Sequence, residues 1–143
     1  MEIELRDMRA SDAREIAEIE KNTFSLPWSE RSLAALSCAL NAIARVAESG
    51  GRVVGYYSLY RSFDEGDVNN IAVTEDMRGQ GIGNALMRDM LEQCGQAGID
   101  RIFLEVRASN KAARALYEKF SFKQYSLRKK YYDGEEDAVM YVR

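Results

Sequence analysis

Two side chains in the segment RIFLEVRASNKAARALYEKF, positions 101–120, have the chemistry to move protons. Glu105 lies within a predicted buried strand, and Tyr117 lies in the predicted helix that follows it. The chain contains no histidine, so proton transfer would have to use residues such as carboxylates and phenols. We therefore treat Glu105 and Tyr117 as a candidate base and acid, each with an ordinary structural role as its alternative.

The local patterns leave both roles open. Glu105 is out of phase with the alternating apolar side chains of RIFLEVR, so it faces the other side of the predicted sheet. It could be a base in a cleft, or a carboxylate on the wetter face. Tyr117 lies beside an apolar helical stripe that includes Leu116 and Phe120, so it could simply pack.

The segment MRGQGIGNAL, positions 77–86, joins the predicted end of a strand to the start of a helix. Glycine lets the backbone turn tightly and approach a ligand closely. The first turn of a helix offers unpaired N–H groups and a partial positive charge, so the segment predicts a diphosphate site. It lacks the GK[ST] of a Walker loop and the early position of a Rossmann fingerprint. The alternative is a glycine-rich turn that merely precedes a helix.

Length, charge and composition limit the function classes. A chain of 143 residues predicts one domain over 1–143. A net charge of −3 and a pI near 5.2 disfavour nucleic-acid binding, which needs a basic face. The charged N-terminus and the lack of a long apolar run predict a cytoplasmic protein without membrane contact. With no histidine and two cysteines, Cys38 and Cys94, we expect no metal site and two buried, reduced thiols.

Hydrophobic periodicity predicts the order strand, helix, helix, three strands, helix, strand, helix and two strands. This order favours an α+β domain with one central mixed sheet flanked by helices. A capping box is predicted for the first helix, with Ser11 or Asp12 as the cap and Glu15 three residues beyond Asp12. The second helix is predicted to begin after a Ser29 cap and to bury three leucines: Leu33, Leu36 and Leu40. The helix after the glycine loop is predicted to bury residues that step by four: Ile82, Leu86, Met90 and Cys94.

Several motifs together resemble the GNAT superfamily of acetyl-CoA-dependent N-acetyltransferases. They are RGQGIG after a strand that ends in IAV, and NKAARALYEKF downstream. Within the superfamily, FSLPWSE, NNIAV, LEVRASN and RKKYYDGEEDA resemble the RimI group, which acetylates the N-terminal alanine of a small-subunit ribosomal protein. The tail YYDGEEDAVM also resembles archaeal and eukaryotic N-terminal acetyltransferases. The resemblance covers nearly the whole chain and implies the GNAT-like acyl-CoA N-acyltransferase fold, a three-layer α/β arrangement.

The resemblance also implies roles for individual residues. Glu105 would be the general base, acting directly or through water, and Tyr117 the general acid near the cofactor sulfur. The acetyl and pantetheine groups of acetyl-CoA would contact Ile71, Ala72, Val73, Asn110 and Tyr117. The pyrophosphate would be held by Arg78, Gly79, Gln80, Gly81, Ile82, Gly83 and Asn84. The acceptor peptide would enter along Leu26, Trp28, Tyr131 and Tyr132.

The implied reaction suits a chain without histidine. A peptide α-amine has a reference pKa of about 7.7–8.0, so a sizeable minority is already neutral at pH 7 and a carboxylate can serve as its base. A tyrosine hydroxyl, with a reference pKa near 10, can donate to the leaving thiolate. Direct attack of the amine on the thioester, with both substrates bound, needs positioning above all.

Several alternatives stay open. Asn110 could cap the following helix as well as bind the cofactor. Trp28 could be a hydrophobic staple, and Tyr131 and Tyr132 could be ordinary strand aromatics. The acceptor could be a lysine or a small amine, and the chain could be a non-catalytic acyl-CoA-binding module. Ser121 stands where the family usually has glycine, which costs some stability if that residue needs a positive φ.

Overall fold

The computed structural model describes residues 2–143, which form a seven-stranded sheet with four α-helices. The strands are β1 (Glu4–Asp7), β2 (Ala42–Ser49), β3 (Arg52–Ser62), β4 (Glu65–Val73), β5 (Arg101–Arg107), β6 (Lys123–Tyr132) and β7 (Glu136–Val142). The helices are α1 (Ala13–Thr23), α2 (Glu30–Leu36), α3 (Ile82–Gln96) and α4 (Lys111–Lys119). This is the predicted order of elements.

The strands lie in the order β1-β2-β3-β4-β5-β7-β6, and every neighbouring pair is antiparallel except β4 and β5. The predicted mixed sheet is therefore confirmed. The single parallel pair arises because α3 carries the chain from the end of β4 back to the start of β5, which is the crossover that a parallel neighbour requires.

Two adjacent tyrosines on β3 show how the sheet divides the core. Tyr56 packs in the cluster that α1 and α2 form on one face, and Tyr57 packs in the cluster that α3 forms on the other. Successive strand residues point to opposite faces, so two neighbours can serve two cores. The predicted stripe of α3 is confirmed, since these four residues are almost completely buried: Ile82, Leu86, Met90 and Cys94. Burial of each such side chain contributes roughly 1.5–3 kcal/mol.

The β4–β5 pair opens part-way along its length. It begins at Glu65 and Arg101, and its last backbone pair joins Asp67 to Phe103. On its other side, the register of β4 with β3 shifts so that Asn69 has no residue opposite it. Such a bulge bends a strand and increases its twist. Beyond Asp67, β4 therefore turns away from β5, and a cleft opens between them.

Three local predictions were wrong, each for a physical reason. The Asp12 carboxylate accepts from the Arg9 N–H at 2.7 Å within a 3-10 turn before α1, so it forms no capping box with Glu15. Leu40 is fully exposed because α2 ends at Leu36 and the helical period stops there. Cys38 is exposed in the turn after α2, although Cys94 is buried as predicted.

The predicted Ser29 cap is confirmed, and the backbone at Ser121 meets the condition for a stability cost. The Ser29 side chain accepts from the Ser32 N–H at 3.1 Å and caps α2. Ser121 has a φ of +70°, the left-handed conformation that a glycine would adopt more easily. The longest helix, α3, has 15 residues, and none of the helices formed by residues 2–143 is long and apolar enough to cross a lipid bilayer.

Candidate active site

The cleft between the separated ends of β4 and β5 has a volume of about 780 Å³, which is within the range of small-molecule sites. Its walls come from β4, β5, α4, the turn after α1 and the β6–β7 hairpin. Seven of the residues predicted by resemblance line it: Trp28, Ile71, Glu105, Asn110, Tyr117, Tyr131 and Tyr132. Folding thus brings together residues that are up to 104 positions apart, Trp28 and Tyr132.

Glu105 is held by the centre of β5. It pairs with Met140 of β7, and its side chain keeps 30% of its accessible surface. Its Oε1 lies 3.8 Å from Nη1 of Arg128 on β6, a partly exposed ion pair. A carboxylate that is fixed by a paired strand but still reachable from the cleft can accept a proton directly or through water.

Tyr117 enters the cleft from α4. The residue is 6% exposed, and its ring packs against Phe122 and Tyr141 at centroid distances of 6.0 and 6.1 Å. Burial, and secondarily Tyr132, raise the pKa of the Tyr117 hydroxyl. The hydroxyl therefore keeps its proton at neutral pH and is available as a donor within the cleft.

Tyr132 interacts electrostatically with both candidate proton-transfer groups, Glu105 and Tyr117. Burial, followed by the charge of Glu105, raises its pKa to about 12. The Arg107 guanidinium lies 4.5 Å above its ring, and the Tyr131 ring meets it edge-on at 5.1 Å. These contacts fix the Tyr132 ring on the wall of the cleft that faces the acceptor entrance, whereas Tyr131 remains 47% exposed.

The glycine-rich loop before α3 has the backbone of an anion cradle. Gly79 and Gly81 have φ values of +77° and +85°, and a Cβ added to either would meet no described atom within 4 Å. Gly81 is the N-cap of α3, whose first turn contains no acidic residue. Open space, free N–H groups and the positive end of a 15-residue helix fit a diphosphate.

Two other residues of this segment have structural contacts. A Cβ on Gly83 would lie 3.3 Å from Leu116 Cδ2, so this glycine lets α3 and α4 pack closely. The Asn84 side chain accepts from Lys119 Nζ at 2.7 Å. Both contacts place the N-terminus of α3 beside α4, the helix that carries Tyr117. Gln80 is exposed in the loop, and Ile82 is buried in the core.

The residues at the end of β4 divide between the cleft and the core. Ile71 lines the cleft, whereas Ala72 is 5% exposed and packs with the α1–α2 core. The Val73 carbonyl accepts from Arg78 Nε at 3.1 Å, so this carbonyl points away from β3. The two-residue repeat of a strand turns the backbone groups of Ile71 the same way. Arg78 also reaches Thr23 Oγ1 at 3.4 Å.

Asn110 serves as the N-cap of α4. Its Oδ1 accepts from the Ala113 N–H at 3.1 Å. This satisfies one of the unpaired donors at the start of the helix. Because Asn110 also lines the cleft, its Nδ2 remains a donor for a ligand there.

The residues predicted to contact the acceptor do not all line the cleft. Trp28 lines the cleft, but Leu26 is 82% exposed and lies outside its walls. Phe24, which the sequence reading did not select, occupies the wall beside Trp28. The position of Phe24 directly after the last residue of α1, Thr23, is the sequence feature that could have indicated it, because an apolar ring at a helix end tends to pack against the fold.

Arg107 is a site residue that the sequence reading missed. Its Nη2 lies 2.8 Å from Ser25 Oγ and 3.0 Å from Asp133 Oδ2, and its Nη1 lies 3.3 Å from Glu136. It therefore joins the turn after α1 to the β6–β7 hairpin, and both segments contribute residues to the walls of the cleft. Its partners are 26 to 82 positions away, so no local pattern indicates them.

The described residues, 2–143, contain no group of three or more histidine, cysteine, aspartate or glutamate side chains arranged to hold a metal ion. The polar side chains that line the cleft are carboxylates, the Arg107 guanidinium, the Thr23 hydroxyl, phenols and amides.

The chain is similar in sequence to known acetyltransferases. Residues 13–122 match the model of the acetyltransferase (GNAT) family. The [ribosomal protein bS18]-alanine N-acetyltransferase of Escherichia coli K12 is 32% identical over 139 residues, which cover 95% of this chain and 93% of that protein. A Bacillus subtilis (strain 168) protein whose name carries the same activity as a provisional assignment is 35% identical over 142 residues, 96% of this chain and 93% of its own.

The fold is also that of solved members of this group. The crystal structure of the Escherichia coli ribosomal-protein-S18-alanine N-acetyltransferase superposes with a TM-score of 0.91 at 30% identity, covering 99% of this chain and 92% of that one. The structure of Ard1 from Thermoplasma volcanium superposes with a TM-score of 0.92 at 24% identity, covering 100% and 97% of the two chains. The predicted GNAT-like fold is therefore confirmed.

Proposed function

This chain belongs to the GNAT acetyltransferase family, and we propose that it acetylates the N-terminal α-amine of a protein, with the N-terminal alanine of ribosomal protein bS18 as acceptor. Membership makes it an acetyl-transferring enzyme, and the family uses acetyl-CoA. The bS18 acceptor is proposed because relatives that match over 93% of their length carry this activity in their names. We further propose that residues 1–143 act as one domain in the cytoplasm.

The observation that carries the proposal is the opening of the sheet beyond Asp67 and Phe103. It leaves strand edges unpaired beside a cleft that holds both Glu105 and Tyr117. An extended amide-containing chain such as pantetheine can pair with such edges, since their N–H and C=O groups lack ladder partners. The pyrophosphate would then lie at Gly79–Gly81 and the first turn of α3, where the backbone is already shaped for an anion.

The chemistry would proceed by direct attack within a complex of both substrates. The amine nitrogen attacks the thioester carbonyl carbon, a C–N bond forms and the C–S bond breaks. Glu105 takes the proton that the amine loses, through a water molecule or directly, and the Tyr117 hydroxyl donates a proton to the departing sulfur. Proton transfer of this kind contributes roughly 10²–10⁴-fold to a rate. The raised pKa of Tyr117 suits a donor that must hold its proton until the sulfur becomes negative.

The cleft favours an extended peptide end as acceptor. Its entrance lies between two segments that Arg107 joins, and its wall presents Phe24, Trp28 and Tyr132. Aromatic rings offer flat contact area at a low entropic cost, with a polar tip in the case of tyrosine. An α-amine at the end of a chain can reach Glu105 through this entrance with its backbone extended.

A panel of acceptors tests the proposal. Purified protein and acetyl-CoA would be incubated with a peptide of the bS18 N-terminus, the same peptide with a blocked α-amine, and peptides that begin Ser, Met-Leu or Met-Glu. Mass spectrometry should find one added acetyl group on the α-amine of the free bS18 peptide. Equal acetylation of the blocked peptide would indicate a lysine acetyltransferase, and coenzyme A binding without turnover on any amine would indicate a binding module.

A further inference from the structure

A second carboxylate lies beneath the acceptor side of the cleft. Glu20 on α1 is completely buried. Its oxygens accept hydrogen bonds from the Trp28 backbone N–H at 2.9 Å, from Asn70 Nδ2 at 3.0 and 3.2 Å, and from the Tyr56 hydroxyl. These donors are all neutral. A buried carboxylate is stable only when hydrogen bonds replace its hydration, so each donor is strongly held in place.

Glu20 determines which way the Asn70 amide faces. Both Glu20 oxygens accept from Asn70 Nδ2, so the amide turns its Nδ2 toward Glu20 and its Oδ1 away. Asn70 also lines the cleft. Its Oδ1 accepts no hydrogen bond within the described part of the chain, and it is not among the buried atoms without a partner. The Oδ1 is therefore open to the cleft.

We propose that Asn70 Oδ1 accepts a hydrogen bond from an N–H at the amino end of the acceptor, and that Glu20 is the positioning residue that holds it in this orientation. This inference deepens the proposed function and rests on it. Asn70 is on β4 and Glu105 is on β5, the two strands that separate to form the cleft, and both residues line it. Through the Trp28 N–H, the same carboxylate fixes the aromatic wall beside the entrance.

A matched carboxylate on the other face of the sheet supplies the control. Asp89 on α3 is 9% exposed and accepts from the Tyr57 hydroxyl at 2.7 Å and from Arg45 at 3.0 Å. Tyr57 is the neighbour of Tyr56 on β3, and Asp89 makes no contact with the cleft walls. Asp89→Asn and Glu20→Gln each replace a buried carboxylate that a β3 tyrosine contacts, but only Glu20 also contacts Asn70.

The experiment is a double-mutant cycle read as steady-state constants for the acceptor peptide and for acetyl-CoA. Asn70→Ala should raise the peptide KM by roughly tenfold, as expected for one lost hydrogen bond, and leave the acetyl-CoA KM unchanged. Glu20→Gln should have a similar effect, because the new amide N–H₂ needs an acceptor and draws Asn70 Oδ1 away from the cleft. In the Asn70→Ala background, Glu20→Gln should add less than twofold. Asp89→Asn should leave the peptide KM unchanged.

Two results would overturn the inference. One is a peptide KM for Asn70→Ala within twofold of the unmodified protein. The other is an equal further rise from Glu20→Gln in the Asn70→Ala background, which would mean that Glu20 does not act through Asn70. If Glu20→Gln does not fold, Glu20→Asp takes its place, since it keeps the charge but shortens the reach. Turnover by the unmodified protein tests the proposed function separately, so failure of one is distinct from failure of the other.

Discussion

The last backbone pair between β4 and β5 joins Asp67 to Phe103, and the two strands separate beyond it. This pair marks the closed end of the cleft. Every residue proposed to act on a substrate from these strands follows it in sequence: Asn70 and Ile71 on β4, and Glu105 on β5. A parallel pair that continued to the strand ends would hydrogen-bond the same edges to each other and leave no backbone groups for a ligand.

Glu105→Gln should lower kcat by roughly 10²-fold at pH 7, since it removes the proposed base and keeps the size of the side chain. The deficit should shrink as the pH rises toward 9, because an α-amine with a reference pKa near 7.7–8.0 is then mostly neutral without help. The measurement is kcat for an N-terminal peptide across this pH range. Glu65→Gln, on a carboxylate at the closed end of the same cleft, should have little effect. A deficit that is equal at pH 7 and pH 9 would argue against Glu105 as the base.

Tyr117→Phe should lower kcat by roughly 10²-fold and leave the acetyl-CoA KM nearly unchanged. The phenylalanine ring keeps the contacts with Phe122 and Tyr141, so the thermal midpoint should hardly change. Tyr60→Phe, outside the cleft, is the matched control and should retain full activity. Full activity in Tyr117→Phe would remove this residue from the proton-transfer pair and leave it as packing.

Gly81→Ala should weaken acetyl-CoA binding by roughly 10–100-fold, the range for one charge-assisted hydrogen bond, because a Cβ would enter the open side of the proposed cradle. It should also lower the free energy of unfolding by about 1–2 kcal/mol, since φ is +85°. Gly98→Ala is the matched control, because Gly98 has a φ of +75° and equally open surroundings after the other end of α3. Calorimetry and urea unfolding should therefore find similar stability losses, with weaker binding only for Gly81→Ala. Equal coenzyme affinity in both variants would contradict the cradle.

Arg107→Lys should raise the peptide KM by roughly twofold to fivefold, because a single ammonium cannot reach Ser25, Asp133 and Glu136 together. Arg6→Lys is the matched control, since Arg6 also bridges two carboxylates, Asp12 and Glu48, but on the edge strand β1, away from the cleft. The measurement is the peptide KM of each variant, and only Arg107→Lys should raise it. A rise of the same size in Arg6→Lys would assign the effect to general loosening of the fold.

Alkaline conditions should destabilise the fold from about pH 10 upward. Burial raises the pKa of Tyr132 to about 12 and raises the pKa of Tyr117 as well, above the ordinary value near 10. The folded state therefore holds these protons more tightly than the unfolded state, so their contribution is complete below pH 10 and is lost as the pH rises through 12. Urea midpoints should be level from pH 8 to 9.5 and then fall. The fall should be smaller in Tyr132→Phe, and parallel curves for the two proteins would contradict this assignment.

Local chemistry in the sequence was enough for much of the framework. The four-residue steps of α3 and the Ser29 cap depend on neighbours within one or two turns, and the structure confirms both. The alternation of β5 likewise predicted that Glu105 would leave the core face on which Leu104 packs. These features follow from the side-chain periods of helices and strands and from hydrogen bonds between residues that are close in sequence.

Only the tertiary structure decided how the cleft is built. Its opening depends on a bulge at Asn69 and on the length of the β4–β5 ladder, which are set by the meeting of strands rather than by either strand alone. Phe24 rather than Leu26 lines the wall because the turn after α1 is tied down by Glu20. The contacts of Glu20 with Asn70 and of Arg107 with Ser25 span 50 and 82 positions. Such pairs carry no periodic signal, since they form only when packing brings separate elements together, and they hold the part of the cleft that we propose receives the acceptor.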